Sequence, residues 1–165
     1  LIGMIPLIVS YADDPDAARH YAFEHLRLTH LGDRMAVAGD LLVDILLPVI
    51  AGESLEDVIT EKIMHQDNPL LGHPFIKWLD EADDIVVGRY VSSACYVEDA
   101  LPAVIYLAWK YARNPYKGVI VNDQLGGDNA HRGAILGAFF GADSGRDAFP
   151  DRWVNGLYEP VPNLL

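Results

Sequence analysis

An all-α fold, packed as a bundle of many helices, is what this sequence predicts, and three observations carry it. Apolar residues recur at three- and four-residue spacing through most of the chain. Glycine and proline punctuate the intervals, and a single segment, residues 85–96, has the density of β-branched residues that a strand would want. The 165 residues, 51% of them hydrophobic and 22% charged, are enough to bury one core, so residues 1–165 read as a single domain.

Taken in order, Asp13-Asp14-Pro15 is a helix start, because an aspartate caps exposed N–H groups and proline suits the first helical position. Ala18, Ala22 and Leu26 then recur on one face. Ala38, Leu41, Leu42, Ile45, Leu46 and Val49 mark a strongly apolar second helix that stops at Gly52. Ser54-Leu55-Glu56-Asp57 reads as a capping box opening a third, with Leu55, Val58, Ile59 and Ile63 turned inward. Asn68-Pro69 and His73-Pro74 break the chain, residues 75–82 hold a short helical segment, and the β-branched run at 85–96 follows. From Glu98, two acids and Pro102 in a first turn lead into Leu101, Val104, Ile105, Ala108 and Ala112 at helical spacing, ending near Asn114-Pro115. Residues 116–125 form another helix. No repeat or low-complexity segment is visible, and the tail at 160–165 is expected to be extended or loose.

Charge and composition exclude some functions. A net charge of −12 argues against a nucleic-acid or anionic-membrane partner, which would repel an acidic surface. The single cysteine, Cys95, cannot form an internal disulfide, and an intracellular, cytoplasmic setting is expected. Residues 1–9 lack the charged start of a secretory signal. The most apolar run, residues 41–50, is interrupted by Asp44 and Pro48 and falls short of the roughly 20 apolar residues a membrane span needs.

Chemistry is suggested at one place, the stretch from Gly126 to Gly141. Gly126 and Gly127 let the backbone turn and approach a ligand, and Asp128 stands where a helix begins. An anionic ligand, or a cation held by Asp128, would suit that position. Asp128 acting only as a helix cap is the competing reading. Gly133, Gly137 and Gly141 then fall on one helical face, a groove for a closely packed neighbour. His131 and Arg132 lie in the first turn, where positive charge opposes the helix dipole, so a bound phosphate or the domain's own carboxylates must compensate.

Asp128 with its small-residue helix, followed by Phe149-Pro150-Asp151-Arg152-Trp153-Val154-Asn155-Gly156-Leu157, resembles the C-terminal end of the ADP-ribosylglycohydrolase family. Two further segments resemble it. Leu28-Thr29-His30 is similar to the family's threonine–histidine segment, and Glu98-Asp99-Ala100-Leu101-Pro102-Ala103 to the start of the helix that carries its substrate loop. The resemblance implies a compact orthogonal bundle, in which residues 85–96 would be irregular or helical and not a strand, hydrolysis of an ADP-ribosyl glycosidic bond, an ADP-ribose-type ligand and two Mg²⁺ ions. It assigns Asp128 to the metal, and Gly126, Gly127, Asn129 and His131 to the ligand.

The chain departs from the family's metal motif, which reads aspartate, any residue, aspartate, then threonine or serine. Here the positions are Asp128, Asn129, Ala130 and His131, so one carboxylate remains; Ala130 offers no donor, and His131 is a softer ligand than Mg²⁺ prefers. The family's N-terminal threonine-aspartate-aspartate group has no counterpart, since Asp13-Asp14 and Asp83-Asp84 each follow an alanine. The chain therefore reads as the C-terminal part of a longer or processed protein. Three functions remain open: a hydrolase completed by missing N-terminal elements, one piece of an enzyme whose acidic ligands lie on another chain, or a non-catalytic relative that binds a ligand or serves as a structural subunit.

Other polar residues have plainer roles. His20, His25 and His30 are spaced by five and share no helical face, so they are read as separate and structural, with Thr29-His30 hydrogen-bonding in the core. Tyr90 and Trp109 are read as packing residues, and Tyr96 alone is placed beside the ligand.

Overall fold

The computed structural model describes residues 1–65 and 68–157. Among the described residues every regular element is helical, and the only β-type pairing is an isolated bridge between Val87 and Val91. A short turn at Ile2–Met4 leads into α1 (Ile5–Ser10), α2 (Pro15–Arg27), α3 (Asp33–Ile50) and α4 (Leu55–His65). Short turns follow: α5 (Phe75–Trp78), α6 (Asp83–Ile85) and a wide, irregular turn at Val86–Tyr90. The C-terminal half is α7 (Val97–Lys110), α8 (Pro115–Gln124), α9 (Asn129–Ser144) and the short α10 (Asp151–Asn155). The expectation for the tail at 160–165 lies outside the described residues.

The local signals act as their chemistry dictates. Asp14 caps α2 through a 3.1 Å bond from the Ala17 N–H, with Pro15 in the first turn, and Asn114 caps α8 in the same way at 3.2 Å. At α4 the cap is shared across the molecule. Ser54 accepts only a long 3.4 Å bond from Asp57, while Asp143, near the end of α9, accepts the Leu55 N–H at 2.8 Å. Pro102 stands in the second turn of α7, one turn later than its sequence position suggested.

The core lies where α3, α4, α7, α8 and α9 meet, and α7 packs on all four of the others. Leu42, Ile45 and Leu46 of α3, Ile105 and Tyr106 of α7, and Leu136, Phe139 and Phe140 of α9 have no accessible surface. At about 1.5–3 kcal/mol for each large apolar side chain taken out of water, this convergence is the main source of stability. One expected packing device is absent. A β-carbon at Gly137 or Gly141 would meet only open space, and α9 instead turns its large apolar residues inward. The close approach comes from α8, where a β-carbon at Gly118 would lie 2.8 Å from the Phe140 ring.

Residues 85–96 do not form a strand. Gly88 takes φ +144°, a backbone that reverses the chain and brings the Gly88 N–H to the Val91 carbonyl at 2.8 Å. Val86, Val87 and Val91 are buried as hydrophobic residues, which satisfies the apolar run without a sheet.

Candidate functional site

The turn ahead of α9 is built by two consecutive left-handed residues, Gly126 at φ +66° and Gly127 at φ +63°. Glycine adopts this conformation without the cost a β-carbon brings. At Gly127 space is also decisive. A β-carbon there would lie 2.7 Å from the Ser93 side chain and closer still to its carbonyl. The close approach anticipated at this turn is thus made to the chain's own 92–96 loop.

Arg132 locks that contact. Its side chain is 1% exposed and reaches three acceptors: Asn122 Oδ1 at 3.1 Å, the Ser93 carbonyl at 2.9 Å and the Gly126 carbonyl at 2.6 Å. The Ser93 carbonyl also accepts the Asp128 N–H at 2.9 Å, so both its lone pairs are used. From the other side, the Ser92 N–H bonds to Asp99 Oδ1 at 3.0 Å, tying the loop to the first turn of α7. Burial draws the Arg132 guanidinium below its ordinary range, and the Asp128 carboxylate counters the effect. Sequence reasoning marked this residue as electrostatically misplaced in a first helical turn, but named a bound phosphate or the domain's carboxylates as the compensation and missed the three oxygen acceptors that hold it.

Asp128 occupies the capping position of α9, but its carboxylate caps no N–H. It turns instead to His131, with Oδ1 2.5 Å from Nδ1. Asp128 is 21% exposed and the His131 ring 70%. The domain's own carboxylate thus supplies part of the compensation that the positive first turn requires. Asn129 points elsewhere, donating through Nδ2 to the Asp123 carbonyl and carboxylate while its own carbonyl accepts from Asn122.

These residues border an open cavity of about 760 Å³, within the size range of small-molecule sites. Asp128, His131 and Arg132 form one wall. Tyr96, Glu98 and Leu101, from the 92–96 loop and α7, form a second. The third brings His25 from α2 together with Thr29 and His30 from the loop that follows it. Of the residues proposed from sequence for ligand and metal, Asp128, His131 and Tyr96 therefore share the cavity, whereas Gly126, Gly127 and Asn129 shape the turn behind it. His25 and His30, read as separate, lie on the same wall. Thr29 and His30 do bond to each other, at 2.7 Å, but at the exposed cavity edge and not in the core. His20 stays apart, with its ring edge-on to Tyr21.

The remaining polar features are structural. Trp109 donates to Thr60 at 2.9 Å, joining α7 to α4, and Tyr90 stacks on Trp78. Arg152 donates to the Tyr116 hydroxyl at 2.8 Å and Trp153 packs on the same ring, so the proline-aspartate-arginine-tryptophan segment anchors α10 to α8. A smaller cavity of about 350 Å³ lies between α3 and α4; two of its carboxylates, Asp40 and Asp44, are already bridged by Arg19.

The site's donors do not fit a pair of hard divalent cations, which need several oxygen ligands each. Asp128 is engaged by His131, Ala130 follows it with a methyl group, and Glu98 across the cavity is paired with Arg34. Among the described residues no three acidic, histidine or cysteine side chains come together as a metal group, and no helix is long and apolar enough to cross a membrane.

No curated protein and no solved structure matches the chain. The family model for ADP-ribosylglycohydrolase matches residues 1–164, almost the whole length, and so spans the all-helical core together with the residues that line the cavity. With that extent of match, this chain belongs to the ADP-ribosylglycohydrolase family.

Proposed function

We propose that the chain binds an ADP-ribosyl-type ligand in the cavity bordered by Asp128, His131 and Tyr96, as a relative that does not cleave the glycosidic bond by two-metal chemistry. One observation carries the reading: three segments far apart in sequence, Thr29-His30, Glu98–Leu101 and Asp128–Arg132, converge on one ligand-sized cavity. Each is a segment that resembles the family. Tyr96, half of whose surface or more is open, offers a ring face for a base or sugar, and the imidazoles of His25, His30 and His131 offer hydrogen-bonding groups for hydroxyl and phosphate oxygens. Gly126, Gly127 and Asn129 contribute by holding the turn that presents Asp128.

Cleavage in the family passes through an oxocarbenium-like state with water positioned by metal, and Ala130 and His131 replace residues on which that route depends. The test is a thermal melt of the chain with millimolar ADP-ribose, with ribose alone as the control. A ligand that binds only the folded state raises the melting temperature by mass action. ADP-ribose is expected to raise it while ribose does not, and no ADP-ribose should be released from an ADP-ribosylated protein. Equal melting curves with and without ADP-ribose, together with no heat on calorimetric titration, would remove the reading.

A further inference from the structure

We infer an exchange at this site: the Asp128–His131 pair, backed by the buried guanidinium of Arg132, stands in for a cation, so that the cavity recognises its ligand without a metal. The inference rests on reading the cavity as an ADP-ribosyl site.

Three observations support the exchange. Asp128 gives an oxygen that a cation would take to His131 Nδ1, at 2.5 Å. Arg132, 1% exposed and close enough to Asp128 for the carboxylate to favour its charge, is a cation that cannot leave. A divalent ion added beside it would meet a fixed like charge and one half-engaged carboxylate, with Ala130 adding no donor.

The same groups suffice for recognition. With Nδ1 committed to the carboxylate, the ring is held in one orientation, and Nε2 of this exposed imidazole on the cavity wall has no hydrogen-bond partner among the described residues. A ribose hydroxyl or phosphate oxygen fits that atom. Arg132 lends positive potential from beneath while its N–H groups stay committed to Asn122, Ser93 and Gly126. The exchange explains why a histidine and an arginine occupy a helix start, where the dipole alone would disfavour them.

The test uses the full 165-residue chain. Mn²⁺ alone, followed by electron paramagnetic resonance, probes the metal, and calorimetric titration with ADP-ribose in EDTA and in millimolar Mg²⁺ probes recognition. No Mn²⁺ should bind at submillimolar concentration, ADP-ribose affinity should be the same in both buffers, and His131→Ala should weaken it about tenfold, the equivalent of one good hydrogen bond. Binding of Mn²⁺ that Asp128→Asn abolishes, or ADP-ribose binding that EDTA removes, overturns the exchange. If ADP-ribose binds in neither buffer, the ligand reading under Proposed function fails and takes the recognition role of His131 with it; the Mn²⁺ result then decides the metal question by itself.

Discussion

Asp83 and Asp128 both stand at helix starts and are almost equally exposed, 20% and 21%, yet their surroundings differ. Asp83 accepts from the Tyr106 and Tyr111 hydroxyls at 2.7 Å each and from Lys110, 3.0 Å away. Lys110 in turn donates to the Glu81 carbonyl, so the network fastens α6 to the end of α7. Among the described residues Asp128 has one side-chain hydrogen-bond partner, His131, and it borders the cavity. A carboxylate saturated by protein donors holds structure together, and one left with open valence beside a cavity is available to a ligand.

The comparison can be broken at four points, beginning with the largest effect. Arg132→Met keeps most of the buried volume but leaves Asn122, Ser93 and Gly126 without their donor. Breaking so enclosed a charged group costs about 3–5 kcal/mol, and the melting temperature should fall accordingly in calorimetry. A variant as stable as the parent would mean that Arg132 is not the lock between the loop and α9.

Gly127→Ala comes next. The left-handed backbone costs an alanine about 1–2 kcal/mol, and the contact with Ser93 adds a displacement of the 92–96 loop. Denaturant unfolding should show a loss of about 2–4 kcal/mol. Gly126→Ala, with the same backbone but open space at the β-carbon, should lose only the smaller, conformational part. Equal losses at the two positions would show that the contact with Ser93 does not restrict the turn.

These two glycines also mark how much the sequence could reveal. The turn they make was legible because consecutive glycines before a helix announce one, and the long helices were legible because apolar spacing and caps are local signals. What the turn packs against was not. The Ser93 contact spans more than thirty residues, and the three acceptors of Arg132 come from two separate regions. The strand signal at residues 85–96 is the opposite case, since β-branched residues report a need for burial that a turn inside an all-α core satisfies as well as a sheet, and the family resemblance pulls the segment toward irregular or helical structure.

The Asp83 network gives a prediction in pH. Burial would raise the Asp83 carboxyl, but donors from Tyr111, Tyr106 and Lys110 outweigh it and hold the group below its ordinary range. The folded chain therefore binds this proton less readily than the unfolded chain. Its contribution is complete above the unfolded value of about 4 and is lost as pH falls through the lowered folded value. The parent should lose stability to acid across that window, and Asp83→Asn, less stable at neutral pH by about 2–3 kcal/mol, should lose less of it there. Parallel pH curves for the two proteins would remove Asp83 from the account.

The smallest effect on stability is expected at Asp128, and it sharpens the contrast most. Asp128→Asn keeps an oxygen near His131 and a residue well suited to a helix start, so unfolding should shift by less than about 0.5 kcal/mol. The variant nevertheless loses the charge that fixes the imidazole and balances Arg132, and its response to ADP-ribose should fall severalfold. At Asp83 the same exchange should do the reverse, lowering stability while leaving ADP-ribose binding by the folded protein unchanged. Measuring melting temperature and ADP-ribose affinity for both variants thus separates the two roles within one experiment. Should Asp128→Asn cost as much stability as Asp83→Asn and leave binding intact, Asp128 would be a structural aspartate like its counterpart, and the cavity would need another anchor.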